Sequence, residues 1–75
     1  MKMTEQEAYE ILLERIRQVF GNELNHLTET QGAILNGLIM DRVEARKGDF
    51  SKVTLDEVEG VREMLYKEFS LAEAQ

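Results

Sequence analysis

The sequence predicts an all-α, three-helix unit whose central helix is heavily buried, and three observations carry that expectation. Apolar residues recur at helical spacing in three separate runs. Each run opens with a Thr-x-x-Glu or Thr-x-x-Gln phrase, the pattern of a capping box. No strand is evident, and the chain contains no proline, internal repeat or low-complexity segment.

The first helix is expected over about residues 4–20. Thr4 is its N-cap and Glu7 its N3 residue, so that the two side chains satisfy two orphan amide donors reciprocally. Ala8, Tyr9, Leu12, Leu13, Ile16, Val19 and Phe20 form its apolar face, opposite Glu7, Glu10, Glu14, Arg17 and Gln18. Gly21-Asn22 is the stop signal, since both residue types tolerate the left-handed conformation that closes a helix. A connector with room for one short turn then leads to Leu27.

Thr28-Glu29-Thr30-Gln31 opens the second helix, expected to reach Lys47 before Gly48. Its middle is apolar almost all round: Ala33, Ile34, Leu35, Leu38, Ile39, Met40 and Val43 spread over roughly 260° at about 100° per residue. A surface helix needs an apolar stripe only a little over ~100° wide. This helix therefore asks to be covered on more than one side, by its flanking helices and by a second subunit. Gly32 and Gly37 each cost about 1 kcal/mol relative to alanine, a cost offset where another backbone approaches closely. Asn36 lies inside the apolar arc, either as an amide paired with a nearby carbonyl or as a register-setting contact across a dimer. Gly32, Ile34, Leu35, Asn36, Ile39, Met40 and Val43 are accordingly the candidate dimer or partner interface.

After the connector Asp49-Phe50-Ser51-Lys52, the third helix is expected over about 54–71. Thr54 and Glu57 make its capping box, while Val53 and Val58 stand at the N′ and N4 positions of a hydrophobic staple. Val58, Val61, Leu65, Phe69 and Ala72 are its expected buried stripe, flanked by Leu55, Met64 and Tyr66. The tail, residues 72–75, should fray.

Seventy-five residues make a single domain, 1–75. A core this small rarely supplies more than ~3–5 kcal/mol without a disulfide, a metal or a partner. There is no cysteine, and His26 is the only histidine, so oligomerisation is the stabiliser left and a homodimer is expected. No cofactor or metal is expected either. Met1-Lys2-Met3-Thr4-Glu5 lacks the charged-then-apolar run of a signal peptide. No apolar run approaches the ~18 residues of a membrane span, so a cytoplasmic protein is the expectation.

The net charge is −6, nine basic residues being diluted among fifteen acidic ones. The densest basic group, Arg42, Arg46 and Lys47, is interrupted by Glu44 and followed by Asp49. Duplex DNA binding, which needs clustered cations to displace counterions, is not expected. An acidic surface suits docking to a basic partner, or simple solvation.

Catalytic and metal patterns do not assemble. With Glu57 as the twelfth residue of a calcium loop, Arg46, Gly48 and Phe50 would occupy positions that need oxygen ligands. Ser51 and Ser70 would need a neighbouring base, and nothing in the sequence places His26 beside either. Carboxylate pairs such as Glu10 with Glu14, or Glu5 with Glu29, are what a highly charged helical surface supplies. No enzyme is expected.

Two local resemblances remain. Residues 9–39, centred on Leu27-Thr28-Glu29-Thr30-Gln31-Gly32-Ala33-Ile34-Leu35, resemble the first two helices of multiple-antibiotic-resistance-type winged-helix repressors. The sequence then offers no basic recognition helix and no two-stranded wing, so DNA binding is not implied with it. Arg42 to Leu65 is similar to the C-terminal portion of small addiction-module antitoxins, which implies an acidic helical segment holding a basic toxin. The leading expectation is a homodimeric helical module that regulates, inhibits or adapts another protein. An antitoxin- or immunity-type neutraliser and a truncated winged-helix-like regulator stand as the alternatives.

Overall fold

In a computed structural model, which describes residues 3–68, the chain forms three α-helices. These are α1 (Glu5–Phe20), α2 (Glu29–Ala45) and α3 (Leu55–Glu68). Short 3-10 turns at Gly21–His26 and Phe50–Lys52 connect them. No described residue lies in a strand.

All three capping boxes form. Thr4 Oγ1 accepts from the Glu7 amide at 3.1 Å while Glu7 Oε1 accepts from the Thr4 amide at 2.9 Å. The same reciprocal pair joins Thr28 to Gln31 at 3.1 and 2.9 Å, and Thr54 to Glu57 at 3.2 and 3.0 Å. Each helix thus starts where its threonine places it, because two otherwise orphaned amides are satisfied there. The staple at α3 is complete as well, with Val53 and Val58 both fully buried.

The helix ends differ in their chemistry. Gly21 closes α1 at φ 57°, ψ −133°, a conformation that glycine alone adopts cheaply, and its amide donates to the Arg17 carbonyl. The α-helical part of α2 stops at Ala45, two residues short of the expected Lys47. The Lys47 amide donates to the Glu44 carbonyl and the Gly48 amide to the Val43 carbonyl, both at 2.9 Å. That is a Schellman closure, with its left-handed C′ position on Lys47 at φ 60° and Gly48 following at φ 84°. Phe69, Leu71, Ala72 and the tail lie outside the described residues.

Packing is organised around α3. Its Val58, Val61 and Leu65 are almost wholly buried, together with Val53 just before it. Leu12, Ile16 and Phe20 of α1 meet them from one side, and Leu35, Ile39 and Val43 of α2 from the other. Each set repeats at the three- or four-residue step that keeps side chains on one helical face. α1 also packs on both 3-10 turns, whereas α1 and α2 scarcely meet each other. Ile34 and Leu38, on the far side of the α2 apolar arc, are half-buried against the same core.

Three polar ties hold this arrangement in register. Arg15 Nη1 donates to the carbonyls of Ser51 and Val53 at 2.6 and 2.8 Å, fastening α1 to the connector that leads into α3. Arg46 joins the end of α2 to the start of α3 through both oxygens of Glu57, at 3.2 and 3.0 Å. Arg62 of α3 makes a two-pronged pair with Glu23 of the first connector, both contacts being 2.9 Å.

Thr54→Ala is expected to destabilise the protein more than Thr28→Ala. Each loses an N-cap worth roughly 0.5–2 kcal/mol. At Thr54 the loss also loosens a staple between two buried valines and frees a glutamate that holds Arg46, whereas Leu27 has only Gly32 at the matching N4 position. Urea midpoints of the two variants decide the order. Gly37→Ala is expected to raise stability by about 1 kcal/mol, since a Cβ added there meets nothing within 4 Å and alanine is the better helix former. An unchanged or lowered urea midpoint would contradict it.

Candidate functional site

Because α3 holds α1 and α2 while these two scarcely touch, a groove runs between them. From α1 it is lined by Tyr9, Leu12, Leu13 and Ile16, and from α2 by Gly32, Leu35, Asn36, Ile39 and Met40. Leu24 closes one end and Phe50 the other, and the cavity measures about 220 Å³. The floor is the core itself: Leu12, Leu35 and Ile39 are buried. The mouth is exposed, with Tyr9 at 43% and Met40 at 40% of their full accessibility. At 1.5 Å per residue the lined stretches, Tyr9–Ile16 and Gly32–Met40, are each about 10–12 Å long, or two helical turns.

The sequence-predicted interface divides over this geometry. Gly32, Leu35, Asn36, Ile39 and Met40 come together in the groove. Of these, Leu35 and Ile39 form its floor, and Asn36 and Met40 stand exposed on its α2 wall. Ile34 turns to the other side of α2, half-buried against the core, and Val43 is buried at 2%. Neither of the last two lines the groove. A Cβ built on Gly32 meets nothing within 4 Å, so no described residue makes the close approach that would offset its helix-weakening effect.

Sequence reasoning missed the aromatic end of the groove. Tyr9 and Phe50 meet edge to face, with centroids 5.3 Å apart and planes at 76°, a favourable arrangement for aromatic rings. Phe50 lies in a connector, where helical periodicity carries no information about neighbours. Arg15 was equally silent in the apolar pattern, although it sits next to the Leu12–Ile16 stripe. A long cation at the edge of an apolar face lays its stem along that face and carries its head to polar surroundings, here two carbonyls.

The groups with displaced ionisation lie away from the groove. Hydrogen bonding from Arg62 is the main cause holding Glu23 below the ordinary carboxylate range, and the Thr54 amide does the same for Glu57. The Ser51 hydroxyl depresses Asp49, and donation to Glu23 pushes Tyr66 up. The Tyr66 hydroxyl donates to Glu23, and the Arg62 guanidinium stacks over the Tyr66 ring at 4.5 Å from its centroid. Each of these groups is engaged with a partner in the fold, so the displacement records structural pairing. His26 is exposed at the end of its 3-10 turn, and Ser51 Oγ donates to Asp49 at 2.7 Å. Ser70 lies outside the described residues. Among the described residues no three His, Asp or Glu side chains gather as metal ligands would, and no helix is long and apolar enough to cross a membrane.

Compared with protein-family models, curated proteins and solved structures, the chain matches none of them. Its function is therefore argued from the groove.

The depressed carboxylates set an acid limit on stability. Glu23 and Glu57 have folded pKa values below the 4.5 of the free side chain. Their contribution is fully present above that value and is lost as pH falls through the folded pKa. Glu23→Gln and Glu57→Gln should each be less stable than the parent protein near neutral pH. The difference should close once the pH is well below 4.5, where the parent carboxylates are protonated too. Urea midpoints measured at both pH values check this, and a gap that persists in acid would contradict it.

Proposed function

We propose that this chain is a small, non-enzymatic helical protein-interaction module that regulates, inhibits or adapts another protein by seating an amphipathic helix in the groove between α1 and α2. The observation that carries this reading is the groove itself, an apolar trough continuous with the core that the described residues leave open. Its volume of about 220 Å³ lies below the ~300–1,000 Å³ of typical small-molecule sites. It exceeds the ~150 Å³ that holds a benzene ring, so it suits one or two large apolar side chains. Its two-turn length matches a pair of anchors spaced i and i+3 or i+4 on a docked helix. The aromatic pair Tyr9–Phe50 and the flexible Met40 at its mouth are residue types over-represented where proteins bind one another.

A second reading, self-pairing through the same groove, is favoured by Gly32. Its open Cβ direction would admit the backbone of another copy, and a core of this size gains most from a partner. A homodimer at micromolar concentration is the expected outcome of that reading, with Met40→Asp returning it to monomer. Sedimentation equilibrium decides it.

The interaction reading is tested by titrating the full chain with amphipathic helical peptides of varied flanking charge while amide chemical shifts are followed. Perturbations confined to Tyr9–Ile16, Gly32–Met40 and Phe50 are expected. Shifts centred on the solvent face of α3, or none with any peptide, would overturn it. Gly32→Leu should leave the fold intact and block the perturbation, because its side chain would project into open space.

A further inference from the structure

The rim of the groove is predominantly acidic. At about 100° per residue, Glu29 lies only about 20° round α2 from Met40, and Glu44 about 40° from it. On α1, Glu10 follows Leu13 by about 60°. At the Phe50 end, Glu5 lines a shallow depression with Tyr9 and Phe50. All four carboxylates belong to exposed residues. Two cations stand at comparable places. Arg17 lies about 40° from Leu13 and 3.6 Å from Glu14, and Lys47 lines a second depression with Glu5 and Phe50. The carboxylates therefore outnumber the cations there. We propose that the natural occupant of the groove is a helix of another protein whose apolar stripe is flanked on both sides by lysine or arginine, the rim carboxylates selecting it over acidic helices and over a second copy of this chain.

The inference rests on the docking reading above and adds the chemistry of the partner. A closed pair of identical chains brings the same patch against itself. The acidic rim of one copy would then face the acidic rim of the other. Like charges juxtaposed at an interface suppress that pairing, whereas complementary ones speed the encounter and fix the register. A basic helix gains from the same four groups. Asn36, exposed on the groove wall, offers the docked helix both a donor and an acceptor.

The test uses the full chain and two synthetic peptides of about 18 residues, long enough to hold a helix. Both carry leucine at i, i+3, i+4 and i+7, one with lysine at the flanking positions and the other with glutamate. Binding is followed by fluorescence anisotropy at about 50 and about 500 mM salt, where screening separates rim charge from apolar contact. The lysine peptide is expected to bind at least roughly tenfold more tightly than the glutamate peptide at low salt, with the gap shrinking at high salt. A Glu29→Lys, Glu44→Lys double variant should narrow or invert the preference. Met40→Asp separates docking from bulk attraction: it makes the protein more acidic, yet it should weaken the lysine peptide at least roughly tenfold by placing a charge over the apolar floor. Gly32→Leu, which fills the groove without adding charge, should weaken both peptides.

The outcomes divide cleanly. Equal binding of the two peptides would overturn the basic partner while leaving the docking groove standing. Undiminished binding of the lysine peptide to Met40→Asp would show attraction to the acidic surface at large, and overturns the proposal too. A dimer split by Met40→Asp, with no peptide bound, would make a second copy the occupant. A monomer that binds neither peptide would remove the groove reading and this inference together.

Discussion

Everything in this fold depends on α3 acting as a shared wall. Val58, Val61 and Leu65, with Val53 ahead of them, are each exposed by 2% or less, and both other helices bury their stripes against them. At roughly 25 cal/mol per Å² of apolar surface, such burial is the main favourable contribution available to a chain without disulfides. The arrangement has a geometric consequence. Two helices that share one neighbour, and are joined to each other only through a 3-10 connector, need not close on each other. Between α1 and α2 they leave a trough whose floor is the back of the core.

Three polar ties fix the elements around that trough. Arg15 binds two carbonyls of the connector before α3, so α1 is fastened to that connector. Arg46 and Glu57 fix the end of α2 to the beginning of α3. Glu23, drawn to Arg62 and Tyr66, anchors the turn that connects α1 to α2. These pairs are partly exposed, where an isolated ion pair contributes only about 0–1 kcal/mol. Their effect is more on position than on depth of stability. Each joins groups far apart in sequence, and together they set the spacing of the groove walls.

What could be read from the sequence follows from which interactions are local. The three capping boxes and the Val53–Val58 staple lie within six residues each, and all of them form. The buried members of each stripe obey helical periodicity and were equally legible, as was the excess width of the α2 apolar arc. Periodicity does not say which part of a wide arc an intramolecular neighbour will cover. Here α3 and the core take Leu35, Ile39, Val43, Ile34 and Leu38, so the open part shrinks to Gly32, Asn36 and Met40. The placement of Phe50 beside Tyr9, and of Glu23 beside Arg62, involves separations of about forty residues through irregular connectors. No local rule reaches that far. The end of α2 was misplaced for a subtler reason. A Schellman closure places a left-handed residue before the stop glycine, and here Lys47 and Gly48 both take positive φ.

The glycines of α2 join stability to function in this chain. Gly32 and Gly37 weaken the helix in the free protein, and a Cβ at either meets nothing within 4 Å. Among the described residues, then, no close approach compensates for their lost helix propensity. At Gly37, outside the groove lining, the structure offers no reason for the residue. At Gly32 the backbone forms part of the groove wall, where a missing side chain widens the trough by one methyl or more. Proteins retain such locally unfavourable choices where a site needs them, and stabilising replacements there tend to reduce function. Gly32 is thus the position where the free energy of folding and the access of a docked helix pull in opposite directions. A variant there that folds more firmly while losing its partner would locate the binding wall on α2 more directly than any substitution in the core, where loss of binding and loss of fold arrive together.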